Sequence, residues 1–176
     1  MKLKTIEKGF TMIELLVGLS IAAFVVGAAS MTTITMMRLT PQNNDWAVAL
    51  RQVQNSGYWI SRDVQMSKGD IIVDTWPNAT LLTLTVSEWD TVSGEVVDKT
   101  IVYEFEDMSG EQWLVRTESI GENIIGQTAI AQYISTATAQ PYVPDTPLTF
   151  TIEATLGSAE VSREYEAMQR VPAPEP

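Results

Sequence analysis

The chain has 176 residues, 45% of them hydrophobic and 19% charged, which suits one globular head plus an extended helix and is short for two well-packed domains. Its 22 Asp and Glu against 11 Lys and Arg give a formal net charge of -11, a balance that repels the phosphate backbone of nucleic acid, so no direct nucleic-acid contact is expected. Without Cys or His there is no disulfide, thiolate nucleophile, imidazole base or zinc site built on either ligand; only carboxylates, Lys and Tyr remain for acid-base chemistry, and no enzyme, cofactor or metal is expected.

The first nine residues carry Lys2, Lys4 and Lys8 against one acid, Glu7. From Phe10 to Met37 there is a single charged residue, Glu14. A helix needs about 20 apolar residues to cross a bilayer, so this stretch is long enough to span. Lysines on its N-terminal side and only Arg38 at its far edge predict a cytoplasmic N-terminus, with the acidic C-terminal part outside. A secretory signal has a shorter apolar core followed by small residues, and Ala28, Ala29 and Ser30 could imitate such a site. Glu14 argues against that reading. A carboxylate within a membrane helix costs about 2.5–3.5 kcal/mol on insertion scales and is usually there for a partner.

The run Lys8-Gly9-Phe10-Thr11-Met12-Ile13-Glu14-Leu15-Leu16 resembles the processing site of type IV prepilins and type II secretion pseudopilins: a short basic leader ending in Gly, then Phe, then Glu as the fifth residue of the mature chain. The resemblance implies that a prepilin peptidase cuts between Gly9 and Phe10 and methylates the new Phe10 amine. It further implies that Glu14 pairs with the Phe10 amine of a neighbouring subunit during assembly. A glycine at the cut leaves room for close approach of a protease, and a buried charge is tolerable chiefly when paired. Many major pilins have Pro at the twenty-second mature residue, where this chain has Met31, so the kink pattern of major pilins is not expected; Gly18 and Gly27 are the weak points of the helix.

Pro41, within Thr40-Pro41-Gln42-Asn43-Asn44-Asp45, predicts a break or kink, with Asn44 or Asp45 capping a second helical section. Trp46, Leu50, Val53, Gly57, Ile60 and Val64 then recur at helical spacing and predict an amphipathic helix over 45–66 with that face on a sheet. Arg51, Gln52, Asn55, Arg62 and Gln65 lie opposite and are expected in solvent. Alternation with β-branched and aromatic residues predicts strands at Thr80 to Trp89, Val96 to Glu106 and Gln112 to Thr117, joined as an antiparallel meander through Ser93-Gly94 and Ser109-Gly110. Ser119 to Pro147 reads as looser, with one short strand near Ala129 to Ile134. Leu148 to Leu156 and Glu160 to Arg170 read as a closing hairpin around Gly157-Ser158.

The predicted class is α+β: a long N-terminal helix, half transmembrane and half amphipathic, packed on an antiparallel β-sheet as in pilins. The segments are a leader at 1–9, a filament-core helix at 10–37, a periplasmic or extracellular head at 38–170 and a flexible Pro-rich tail at 171–176. Ile60-Ser61-Arg62-Asp63-Val64, Val102-Tyr103-Glu104-Phe105 and Trp113-Leu114-Val115-Arg116 are similar to J-type minor pseudopilins and related minor pilins. That likeness implies a filament subunit, at the tip or in the initiating complex of a type IV pilus or type II secretion pseudopilus. Its partners would be other pilin or pseudopilin subunits, prepilin peptidase, the inner-membrane assembly platform and the membrane. The alternative is a membrane-tethered extracytoplasmic binding module that does not polymerise. Glu104, Glu106, Asp107 and Glu111 could gather around calcium but read more simply as a solvated strand face. Asn78-Ala79-Thr80 matches a glycosylation acceptor pattern, discounted because the processing signal is prokaryotic in style.

Overall fold

The computed structural model describes residues 9–74, 79–91 and 94–170. Among the described residues one helix, α1 (Met12–Met66), is followed by eight strands: β1 (Ser67–Val73), β2 (Thr80–Asp90), β3 (Glu95–Met108), β4 (Glu111–Ile120), β5 (Asn123–Gln132), β6 (Ile134–Ala139), β7 (Leu148–Leu156) and β8 (Ala159–Ala167). The strands form two antiparallel sheets, β1-β2-β3-β4-β5 and β6-β7-β8. This is the predicted α+β, pilin-like arrangement of a long N-terminal helix packed on an antiparallel sheet. Two compact units divide between Asn43 and Asn44.

Of the break or kink expected at Pro41, the break does not occur: the helix continues through it, so neither Asn44 nor Asp45 caps a second section. Proline lacks an N–H, but one missing bond can be absorbed in a helix of 55 residues.

In the second unit, helical period and burial agree. Ala49, Val53, Gly57, Ile60 and Val64 are buried on one face, with Leu50 packed against the core. Both sheets contribute to one core with this face: Leu82, Leu84, Ile101, Tyr103 and Leu114 from the first, Ile134, Leu148, Phe150 and Ile152 from the second. Strand β7 shows the alternation most plainly, with Leu148, Phe150, Ile152 and Ala154 buried and the intervening residues less so. Trp46, predicted on the buried face, is half exposed instead. It lies near the start of that face, a turn ahead of the first buried residue, Ala49.

Two polar helix residues on the face expected in solvent bond to a distant strand of the same chain. Asn55 Nδ2 donates to Ile130 O, and Gln52 Oε1 accepts from Gln132 N at 3.1 Å. They tie α1 to the end of β5, an edge strand whose backbone would otherwise lack partners there. The supposedly loose stretch after Ser119 is largely strand. Gly121, at φ 59°, makes a tight turn between β4 and β5, and Tyr133, also at φ 59°, separates β5 from β6 where the chain changes sheets. The last strand ends at Ala167, not Arg170. Its turn is at Gly157-Ser158 as predicted, with Leu156 opposite Ala159.

Gly57 is where the helix comes closest to β8. A Cβ there would lie 2.2 Å from Tyr165 Cζ. The Tyr165 ring stacks on Phe150 with centroids 5.3 Å apart, and its hydroxyl donates to Val53 O at 3.0 Å. Glycine to alanine in a helix interior ordinarily stabilises by about 1 kcal/mol. Here the sign reverses: Gly57→Ala is expected to destabilise by about 1–3 kcal/mol, since the ring is held on two sides. Urea denaturation of the two proteins measures this, and an unchanged midpoint would mean that the ring yields freely.

Candidate functional site

Gly9 and Phe10 precede α1 in neither helix nor strand, and both are exposed, Phe10 to 81%. Lys2, Lys4 and Lys8 lie outside the described residues.

Thr11 and Glu14 close the helix start reciprocally. Glu14 N donates to Thr11 Oγ1 at 3.3 Å, while Glu14 Oε2 accepts from Thr11 N at 3.4 Å and from Thr11 Oγ1 at 3.3 Å. This is a capping box, Thr-x-x-Glu ahead of an apolar run; the spacing alone could have signalled it. It satisfies donors that a helix N-terminus leaves open and puts the carboxylate at the positive end of the helix dipole. These bonds are longer than the usual range of about 2.7–3.2 Å, so the carboxylate keeps acceptor capacity for a stronger donor.

Beyond Glu14 the helix surface is apolar and uncovered. Its most hydrophobic window is long and apolar enough to cross a membrane and is 0% buried within the chain. Phe24 is 82% exposed, and Leu19, Ile21, Val25 and Val26 are likewise open. Such a surface calls for lipid or another helix. The hydroxyls of Ser20, Ser30, Thr32, Thr33, Thr35 and Thr40 each donate to the carbonyl four residues back, at 2.8–3.0 Å. A helix surrounded by hydrocarbon must satisfy its polar groups internally, and these six do so.

The model of the prokaryotic N-terminal methylation motif matches residues 4–30. The chain carries that methylation motif. No curated protein and no solved structure matches the chain. The methylation motif covers Gly9, Phe10, Thr11 and Glu14 and most of the apolar run. It supports a pilin or pseudopilin processed by prepilin peptidase, a structural class whose neighbours are other pilin subunits. With the apolar helix, it is consistent with membrane anchoring.

Outside the methylation motif, α1, β3 and β4 meet in a buried polar cluster. Asp63 Oδ2 accepts from Tyr103 Oη at 2.6 Å and from Arg116 Nε, and Arg116 Nη1 donates to Glu118. Arg116 Cζ also lies 5.3 Å from the centroid of the Trp59 ring. Asp63 and Tyr103 are fully buried, and Arg116 is nearly so. Burial, then the charge of Asp63 and the bond to it, push the Tyr103 hydroxyl well above its ordinary value, so it remains a donor. Burial opposes the charge of Arg116, but its bonds to Asp63 and Glu118 outweigh that and hold it charged. Sequence reasoning placed Val64 in the core and overlooked Asp63 beside it; an acid on a buried helix face opposite a strand Arg was the available signal.

The candidate calcium acids are spread along β3 and β4. Glu104 accepts from Thr117 Oγ1, Glu106 from Gln127 Nε2 and Asp107 from Gly110 N. Among the described residues no cluster of acids is gathered to hold a metal ion. Asn78 lies outside the described residues.

Proposed function

We propose that this protein is a minor pilin or pseudopilin subunit. Prepilin peptidase removes residues 1–9, cutting between Gly9 and Phe10, and methylates the Phe10 amine. The helix at 10–37 then anchors the chain in the cytoplasmic membrane with its N-terminus inside and the head, 38–170, outside, ahead of the tail at 171–176. The assembly platform moves the subunit into a type IV pilus or type II secretion pseudopilus, at the tip or in the initiating complex. Its role is structural and not enzymatic.

The observation that carries this reading is the placement of Glu14. It is the only charge in an exposed apolar helix, it lies inside the matched methylation motif, and its intrachain bonds are long. The hydroxyls along the helix donate within their own helix, so Glu14 is the directional contact left for a neighbour. The Phe10 ammonium of an adjacent subunit is a donor of the right charge, and leaving either ion alone in a low-dielectric core costs several kcal/mol. A J-like subunit is favoured by the meeting of Asp63, Tyr103 and Arg116, which join the segments similar to that group.

Two substitutions test the pairing. Glu14→Ala is expected to be cleaved normally yet to enter sheared filaments about tenfold less than wild type, or lower still. Glu14→Gln preserves the capping box and removes the charge. It should fail to assemble like Ala; full incorporation of the Gln variant would reduce Glu14 to a cap. If wild type itself never enters filaments in a host with the whole assembly machine, the tethered binding module takes its place.

A further inference from the structure

We infer that the head has a binding cleft for an acidic peptide segment, at the C-terminal end of α1. From Asn44 onward the chain has seven Lys and Arg against twenty Asp and Glu. Five of those seven line this one cleft, Arg62, Lys68, Lys99, Arg116 and Arg170, with only three of the twenty acids, Glu88, Glu118 and Asp145. A surface this acidic gathers most of its cations in one place, and focused charge in a concave site raises the local concentration of an oppositely charged ligand.

Three of the cations already have partners: Lys68 with Asp98, Lys99 with Glu88, and Arg116 with Asp63 and Glu118. Arg62 and Arg170 have no ion-pair partner among the described residues, and both are exposed. They are held in place nonetheless. The Arg62 guanidinium lies 5.4 Å from the Trp59 ring centroid. Arg170 N donates to Gln65 O at 3.1 Å, fixing the last described residue beside the helix end. Next to it, Gln169 Nε2 donates to Ser67 Oγ and to Gly69 O, each at 2.9 Å, and Gln169 Oε1 accepts from Tyr142 Oη at 2.7 Å. The wall is thus built by bonds between segments about a hundred residues apart in sequence.

Size and lining select the ligand class. The cleft encloses about 810 Å³, within the range of about 300–1,000 Å³ that takes in a ligand of several connected groups and more than one inorganic anion needs. Met66, Val86, Ile101 and Met168 give it an apolar part. A peptide that combines carboxylates with apolar side chains fits both features. A nucleic acid does not, because its backbone would run out over the acidic surface around the cleft. The inference concerns the head and does not depend on processing or assembly.

The test uses the full chain in detergent micelles and a fluorescein-labelled short peptide alternating Glu and Leu, with binding read by anisotropy. Binding should weaken as salt rises and vanish for the matching Gln-Leu peptide. Arg62→Gln and Arg170→Gln should each weaken it about tenfold with circular dichroism unchanged, since each removes a charge-assisted bond to the ligand. Arg51→Gln and Arg163→Gln, the two cations from Asn44 onward that lie outside the cleft, should leave it unchanged. No binding of the Glu-Leu peptide overturns the proposal. So does equal loss in all four variants, or displacement by inorganic phosphate or a thymidine oligonucleotide at lower concentration than by unlabelled peptide.

Discussion

Replacing Gly9 with Leu is expected to abolish conversion of the precursor to the mature chain in cells that contain a prepilin peptidase. A Cβ at Gly9 would meet nothing within 4 Å, so the substitution leaves the protein's own packing intact. With the cut after Gly9 as proposed, the effect would arise in the peptidase, where a branched side chain next to the scissile bond obstructs an approach that a bare Cα permits. Intact mass and N-terminal sequencing of wild type and variant, with and without the peptidase, read the result directly. Wild type should begin at a methylated Phe10, and the variant should retain all nine leader residues. A wild-type cut after Ala28 to Ser30 would indicate signal peptidase and a secreted head. A variant processed as fast as wild type would move the cut away from Gly9.

Asp63→Ala carries the second large effect, on stability. Asp63 is fully buried and accepts from both Tyr103 and Arg116, so its removal leaves a nearly buried guanidinium and a buried hydroxyl short of an acceptor. Breaking a buried ion pair from one side costs about 3–5 kcal/mol, and a loss of that size is expected in urea denaturation followed by tryptophan fluorescence. The double variant Asp63→Ala with Arg116→Met should recover much of it, because no charge is then stranded. A loss in the single variant below about 1 kcal/mol, the scale of surface pairs, would show that water reaches the arginine.

Local pattern made part of this molecule readable before its structure. The helix face at Val53, Gly57, Ile60 and Val64 and the alternation of Leu82, Leu84 and Val86 depend on periods of 3.6 and 2, which neighbouring residues state by themselves. The hairpin turn at Gly157-Ser158 is equally local. What escaped is set by contacts distant in sequence or by backbone angles that residue type does not announce. Strand β1 is an edge strand with an irregular register between Lys68 and Ile72 and Gly69 at φ 70°, so its residues show no clean alternation. The change of sheet turns on Tyr133, a residue type seldom found at positive φ. Asn55 is exposed as its polar face suggests, but its bond to β5 and that of Gln52 join residues 75 and 80 apart in sequence respectively. At the N-terminus the sequence offered the processing pattern, the charge of Glu14 and the Thr-x-x-Glu spacing of a cap, and geometry added the bonds themselves.

The six hydroxyls that bond back onto their own helix make the sides of that helix chemically anonymous. A lipid tail and a neighbouring helix then offer it much the same dispersion contacts, with no directional bond to break when one replaces the other. Such a rod can trade surroundings in either direction with little barrier from its flanks. Its commitment to one environment is therefore concentrated at its first turn.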